Sequence, residues 1–468
     1  MTVRFAFLLF TFYLYPCRMK FLHISDIHLG CRRYNLVERM RDFARAWMDV
    51  VLNSAIEHKV DFVLVCGDFF DRRNVEPQAM NHAMTGLMAL KEANIPVIVI
   101  EGNHDQHEAV SSFQEKDTSR TFSWLRSLSE WGFIYLLEPT RDEEGNLSLT
   151  AWNDEERKGS YVDIAGTRIF GSHWYGASAN NAIPALSDAL RRARDEKMFN
   201  ILMLHTDVEG QINRPIPALS VEKLKELKSL VDYVALGHTH KRFEIENWAF
   251  NPGSLEACTI DEYKEERGAF LVEVDQEKNV KARHLSDYIQ RPFQRLSFDV
   301  SGVVDEEKVH EGVMDVIERE ANKHSANSKE PAPIIEITLR GHLGFKNSLL
   351  NIRKMRDEAQ EKTGALHVII RNQSVPVEYG VAVGMDAQVP RHERERRILE
   401  DLVLRDNRYK SRAVEIAELI INSKRMVLSG KSPDEILKQI QQVLDEKKEE
   451  TRTNALNALE RNAIAQQG

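Results

Sequence analysis

Five times in this chain an apolar, strand-length run stops abruptly at a side chain able to bind a metal ion. Phe21 to Ile24 ends just before Asp26 and His28, Phe62 to Cys66 before Gly67-Asp68, and Val97 to Ile100 before Glu101-Gly102-Asn103-His104-Asp105. Ile201 to Leu204 runs into His205, and Tyr233 to Leu236 into Gly237-His238-Thr239-His240. Short runs of this kind read as buried strands, and in layered α/β proteins ligands gather beyond the carboxyl ends of such strands. Five strands side by side would set Asp26, His28, Asp68, Asn103, His104, His205, His238 and His240 along one rim. Carboxylate and amide oxygens mixed with imidazole nitrogens suit manganese, iron or zinc better than calcium. Any one of these histidines alone would be an ordinary hydrogen-bonded core residue. Their recurrence is what points to chemistry. Asp105, beside His104, is the carboxylate placed to orient that imidazole.

At 468 residues, 42% of them hydrophobic, the chain is too long for one core and apolar enough for two or three. A net charge of -9 is not that of a globally basic nucleic-acid binder, so any contact with a polyanion must come from local patches. Arg32 with Arg33, Arg72 with Arg73, and Lys241 with Arg242 each follow one of the ligand turns. Solvation is the usual role of such pairs, but three at these positions would hold a phosphodiester backbone around a cleavage point. Four cysteines, Cys17, Cys31, Cys66 and Cys258, form neither a C-x-x-C pair nor a disulfide framework, which fits a reducing, cytoplasmic compartment. Residues 1–18 hold an apolar run, Phe5 to Tyr15, too short to span a bilayer and followed by no small-residue cleavage site. We read it as an upstream start with initiation at Met19, and expect no membrane attachment.

Between the strands, Asn35 to His58 and the stretch holding Met80, Met84, Leu87, Met88 and Leu90 have helical spacing. Tyr161 to Ile164 and Arg168 to Gly171 flank Ala165-Gly166 as a hairpin, and Phe243 to Glu246, Phe250 to Ser254 and Gly268 to Val274 read as antiparallel strands closing a second sheet. The expected fold is α/β, a four-layer α/β/β/α sandwich over residues 19–290. Residues 291–385 then alternate strands with helices as a small α+β module, and 386–468 are a charged linker and a helical region. There Ser411 to Leu428 is followed by a second helix, opened by the capping box Ser432-Pro433-Asp434-Glu435. The pair offers Val414, Ala417, Ile421, Ile436, Leu437 and Ile440 as a narrow apolar face for a partner.

Taken in order, D-x-H, G-D-x-x-D, G-N-H-D, a lone histidine after a strand and G-H-x-H resemble the calcineurin-like metallophosphoesterases. Asp26-Ile27-His28-Leu29-Gly30 and Gly67-Asp68-Phe69-Phe70-Asp71 look most like the SbcD-type nuclease subunit of the DNA double-strand-break repair complex. The resemblance covers about residues 19–290 and implies two divalent ions, manganese being expected. Carried over residue by residue, Asp26, His28, Asp68 and His240 hold one ion, and Asp68, Asn103, His205 and His238 hold the other. His104, paired with Asp105, protonates the leaving sugar oxygen. The family also implies a DNA-selecting capping domain at 291–385, a C-terminal helical pair bound to the coiled-coil base of an SMC-like ATPase of the SbcC type, and a homodimer. The activity implied is 3′-to-5′ exonuclease and endonuclease cleavage of DNA ends or hairpins. Two other readings stay open: a small-molecule phosphodiesterase or phosphatase of the same superfamily, and a DNA-tethering subunit whose cleavage is incidental.

Overall fold

The computed structural model describes residues 19–106, 123–211, 217–324, 331–375, 390–404 and 409–442; the extension 1–18 lies outside them. The chain runs β1 (Met19–Ile24), α1 (Val37–Asp49, continued by a π-helical stretch, Val50–Ile56), β2 (Phe62–Cys66), α2 (Pro77–Glu92), β3 (Val97–Ile100), α3 (Trp124–Glu130) and β4 (Tyr135–Leu136). A small hairpin of β5 (Thr140–Arg141) and β6 (Leu147–Ser148) precedes β7 (Tyr161–Ile164), β8 (Thr167–Phe170), α4 (Ala179–Ala193), β9 (Phe199–His205) and α5 (Val221–Lys225). Then come β10 (Tyr233–Gly237), β11 (Phe243–Ile245), β12 (Ala249–Asn251), β13 (Ala269–Val274) and β14 (Val280–Leu285).

These strands form two six-stranded mixed sheets, ordered β14–β13–β1–β2–β3–β4 and β11–β12–β10–β9–β8–β7. Alternation of side chains along each strand decides the layering. In β1, β2 and β3 the residues Phe21, Phe62, Leu64, Ile98 and Ile100 turn towards Ile201, Met203, Tyr233 and Phe250 of the other sheet. Their neighbours Leu22, Ile24, Val63, Val65, Val97 and Val99 face Trp47, Val50, Ala83 and Leu87 of α1 and α2. In the second sheet Leu202, Leu204, Val234 and Leu236 meet Ile183, Leu186 and Leu190 of α4. The result is the four-layer α/β/β/α sandwich. One expectation is corrected: β13 does not close the second sheet but lies antiparallel to β1 in the first, and β12 runs parallel to β10. Alternating apolar residues show that a strand has a buried face, but not which of two stacked sheets it joins.

Beyond β14 follow β15 (Phe293–Asp299), α6 (Glu306–His324), β16 (Ile334–Arg340), α7 (Ile352–Thr363) and β17 (His367–Asn372), with β16 central in a three-stranded sheet. The central place explains why Ile334, Ile335, Ile337 and Leu339 are all buried. Last come α8 (Arg391–Leu404), α9 (Ala413–Leu428) and a helix over 433–442. The capping box forms there, with the Glu435 amide donating to Ser432 Oγ and the Ser432 amide donating to Glu435 Oε2. By its contacts the chain divides into two compact units, one of Met1–Leu296, Ile317–Ile337 and Arg356–Ile369, the other of Ser297–Val316, Thr338–Met355 and Ile370–Gly468. Among the described residues no helix is long and apolar enough to cross a membrane.

One polar group sits inside the sheet-to-sheet layer. His23 is fully buried, its Nε2 2.9 Å from the Leu236 carbonyl and its Nδ1 2.9 Å from Tyr233 Oη. A carbonyl only accepts, so Nε2 carries the proton and Nδ1 accepts from the tyrosine hydroxyl, which satisfies the neutral ring on both sides. Burial pushes the His23 pKa from 6.5 down to about 3. The unfolded chain therefore takes up this proton first: the stability it protects is complete above pH 6.5 and is lost as pH falls towards 3. At about 1.4 kcal/mol per pH unit the loss reaches about 2 kcal/mol at pH 5. Denaturant unfolding at pH 7.5 and pH 5 should show His23→Gln losing about 2 kcal/mol less than the parent over that interval; equal losses would contradict a neutral, buried His23.

Candidate metal centre

Parallel pairing puts the carboxyl ends of β1, β2 and β3, and of β9 and β10, at the same edge of the sandwich. The chain then turns sharply to keep each polar side chain over that edge. Asp26, His28, Asp68 and His238 all have left-handed backbones, with φ of 52°, 49°, 51° and 88°. Such conformations cost roughly 1–3 kcal/mol each for residues other than glycine. The turns are lashed together by backbone hydrogen bonds from Asp26 N to Gly67 O (3.1 Å), His28 N to Asp68 O (3.0 Å) and Thr206 N to Gly237 O (3.1 Å). Two glycines make the close approach possible. A Cβ on Gly67 would lie 2.3 Å from the His205 ring, and one on Gly102 would lie 2.1 Å from Asp68 Oδ1.

Asp68 is buried at the middle of the cluster. Its Oδ1 accepts from the His104 amide at 2.8 Å, and its Oδ2 lies 3.4 Å from His205 Nε2 and 3.9 Å from His28 Nε2. On one side the Nε2 atoms of His28 and His240 face each other at 3.1 Å, with Asp26 Oδ1 3.8 Å from His240. On the other, His205 Nε2 lies 3.1 Å from Asn103 Oδ1 and 3.2 Å from His238 Nδ1. The ligand atoms of Asp26, His28 and Asp68 lie within 4.8 Å of one another, as do those of Asp68, His205 and His238. The structure thus brings Asp26, His28, Asp68, Asn103, His205, His238 and His240 together as two overlapping sets that share Asp68.

The electrostatics fit divalent cations. Imidazole nitrogens face one another, and His28 Nδ1 is buried without a hydrogen-bond partner among the described residues. Burial, then the neighbouring His240, hold His28 well below its ordinary pKa, and burial with His205 lowers that of His238. Burial would also lower His205, but Asp68, Asp26 and the Cys66 carbonyl together lift it to about 9. His240 is likewise carried against burial to about 9 by Glu262, Asp26 and Asp68. Burial alone would raise Asp68, but His205, His28 and His104 keep it well below the usual carboxylate range. A buried anion ringed by imidazoles is a site whose protons a metal ion displaces.

Asp105 does not orient His104, contrary to the expectation drawn from their adjacency. Its buried carboxylate accepts from the amides of Phe69 (3.2 Å), Phe70 (3.1 Å) and Gly102 (3.0 Å), tying the turn after β2 to the turn after β3. Burial and the charge of Asp68 push its carboxyl up to about 8, against the Gly102 and Phe70 donors. The His104 ring is held instead by Asp71, whose carbonyl lies 2.6 Å from Nδ1. In the sequence Asp71 is only the last residue of G-D-x-x-D, with nothing to tie it to His104. Asp207, with Oδ2 3.5 Å from His238 Nε2, and Glu262, with Oε1 3.2 Å from His240 Nδ1, carried no sequence signal.

Residues 19–242 match the family model for the calcineurin-like phosphoesterases. The chain carries a calcineurin-like phosphoesterase domain. Over 253 residues it is 32% identical to the DNA double-strand break repair protein Mre11 of Archaeoglobus fulgidus, a match covering 52% of this chain and 52% of that protein. Against the Mre11 proteins of Sulfolobus acidocaldarius and Methanosarcina mazei identity is 27% and 25%, covering 72% and 82% of this chain and 80% and 54% of theirs. The chain thus spans about half the length of the Archaeoglobus relative it matches.

Around the candidate metal centre the basic pairs are met by acids. Arg32 lies 3.1 Å from Glu76, Arg72 3.4 Å from Asp71, Lys241 3.7 Å from Glu265 and Arg242 3.0 Å from Glu266. Arg33 is exposed, and Arg73 is also engaged in an interaction. Of the C-terminal residues, Val414 and Leu437 are exposed, Ile421, Ile436 and Ile440 are half-buried, and Ala417 is buried. Ala417 is therefore withdrawn from any partner face: α8 packs on α9, and the helix buries its small side chains within the chain itself.

Gly102→Ala tests the close approach directly. The added methyl must displace Asp68, so the variant should keep its far-ultraviolet circular dichroism yet bind Mn²⁺ at least on the order of 10–100-fold more weakly by calorimetry.

Proposed function

We propose that the chain is a metal-dependent DNA nuclease of double-strand-break repair, cutting ends or hairpins as a 3′-to-5′ exonuclease and endonuclease with two Mn²⁺ ions. The observation that carries this reading is the overlap of the two ligand sets on Asp68, with His104 poised beside them. One ion belongs to Asp26, His28, Asp68 and His240, the other to Asp68, Asn103, His205 and His238. When bound, such a pair would lower the pKa of water and neutralise phosphate charge.

The chain's own groups then do the rest. Asp68, 3.4 Å from His205, joins the two halves of the rim, and the His28 and His104 amides that donate to it keep the turns after β1 and β3 in register with it. His104 donates Nδ1–H to the Asp71 carbonyl, which leaves Nε2 as the nitrogen that, protonated, hands a proton to the leaving oxygen. The relatives named for DNA break repair support a DNA substrate; the family resemblance adds a cytoplasmic setting, an SMC-like ATPase partner and a homodimer, with residues 291–385 as the DNA-selecting module and 386–468 as the ATPase-binding region. The exposed apolar residues of that region, including Leu402, Val414, Val427, Leu428 and Leu437, support a docking role.

A small-molecule phosphodiesterase is the competing reading, favoured by basic pairs that already have acidic partners. Purified chain incubated with Mn²⁺ and labelled blunt or hairpin duplex should cut it, and binding should weaken steeply with salt. Asp26→Ala and His205→Ala should abolish cleavage, whereas His104→Ala should lose on the order of 10²–10⁴ in rate and still bind Mn²⁺. Turnover of nucleotides without salt-sensitive DNA binding would select the competing reading.

A further inference from the structure

The histidines of the two ligand sets are not held alike. His205 Nδ1 lies 2.8 Å from the Cys66 carbonyl, a neutral acceptor. His240 Nδ1 lies 3.2 Å from a carboxylate oxygen of Glu262, and its Nε2 is the atom turned towards His28 and Asp26. A carboxylate accepts only, so Nδ1 carries the proton and Nε2 presents its lone pair inward. A carboxylate behind a ligating imidazole also makes it a better donor, and removing such a partner typically weakens metal binding about 10–100-fold.

Glu262 is itself fixed, as a positioning group must be. Its Oε2 accepts from the Cys258 amide at 2.9 Å, and its Oε1 lies 3.5 Å from Thr259 Oγ1. Its own carbonyl accepts from the Arg267 guanidinium. Two residues earlier the Ile260 amide donates to Tyr34 Oη at 2.9 Å, and the Ile260 side chain is buried. The loop is therefore anchored independently of the metal ligands.

We infer that Glu262 is the positioning residue for His240, fixing the tautomer and aim of that ring and so setting the affinity of the ion shared by Asp26, His28, Asp68 and His240 while leaving the other ion untouched. The inference rests on the two-ion reading. Calorimetric titration of the metal-free full chain with Mn²⁺ tests both separably. The parent should bind two ions, and Glu262→Gln, which keeps an oxygen for the Cys258 amide, should bind one with unchanged affinity and the other about 10–100-fold more weakly. Glu262→Asp should recover part of the loss, and metal-free Glu262→Gln should keep the parent's far-ultraviolet circular dichroism. Glu262→Gln binding both ions as the parent does would overturn the inference, as would a changed metal-free dichroism with both ions weakened together. A parent that binds no ion would instead sink the two-ion reading.

Discussion

A buried carboxylate in contact with imidazoles from two different sheets is the interaction on which the rim depends. Asp68 leaves β2 in the first sheet, while His205 ends β9 in the second. Their 3.4 Å approach exists only because the sheets pack face to face with small residues at the crossing point. The apolar layer beneath, with Phe21, Phe62, Tyr233 and Phe250 all fully buried, supplies the rigidity. Each such side chain contributes about 1.5–3 kcal/mol on burial, enough in aggregate to hold four left-handed residues and a neutral His23 in place. The strained turns belong to the site and the stability to the sandwich below.

The same arrangement makes the cluster poorly balanced by its own charges. Mutual approach of His28 with His240, and of His205 with His238, places like groups together, so protonating one opposes protonating its neighbour. Cations filling the two sets would relieve that conflict and make metal binding part of folding energetics, since an ion that binds only the folded chain stabilises it by mass action.

Much of this was legible in the sequence, for a physical reason. A strand that is apolar on both faces and then breaks at a polar residue announces both its burial and the end at which chemistry sits. Roles beyond the ligands were less legible. Adjacent residues on a tight turn point in different directions, so Asp105 faces the backbone of the neighbouring turn while Asp71, thirty-three positions before His104, holds its ring. Glu262 lies in the acidic stretch Asp261 to Glu266, where nothing in the sequence separates a carboxylate aimed at a histidine from those facing solvent. The sheet that β13 joins is not legible because alternation is identical in either sheet, nor is the burial of Ala417, because an alanine on an apolar stripe fits an intramolecular helix contact as well as an external one.

The acid-paired arginines bear on how a polyanion would be held by a chain of net charge -9. Exposed pairs such as Arg32 with Glu76 and Lys241 with Glu265 contribute only about 0–1 kcal/mol, so exchanging the carboxylate for a phosphate oxygen costs little. The exchange leaves the released carboxylate near the incoming strand, however, and that repulsion offsets part of the gain. Affinity then shifts from the rim to its centre, where two cations would offer four positive charges against the two buried carboxylates of the ligand sets, Asp26 and Asp68. A surface built this way favours phosphates that reach the centre over those that merely lie on the protein, so under the proposed function the same few side chains would select both binding and cleavage.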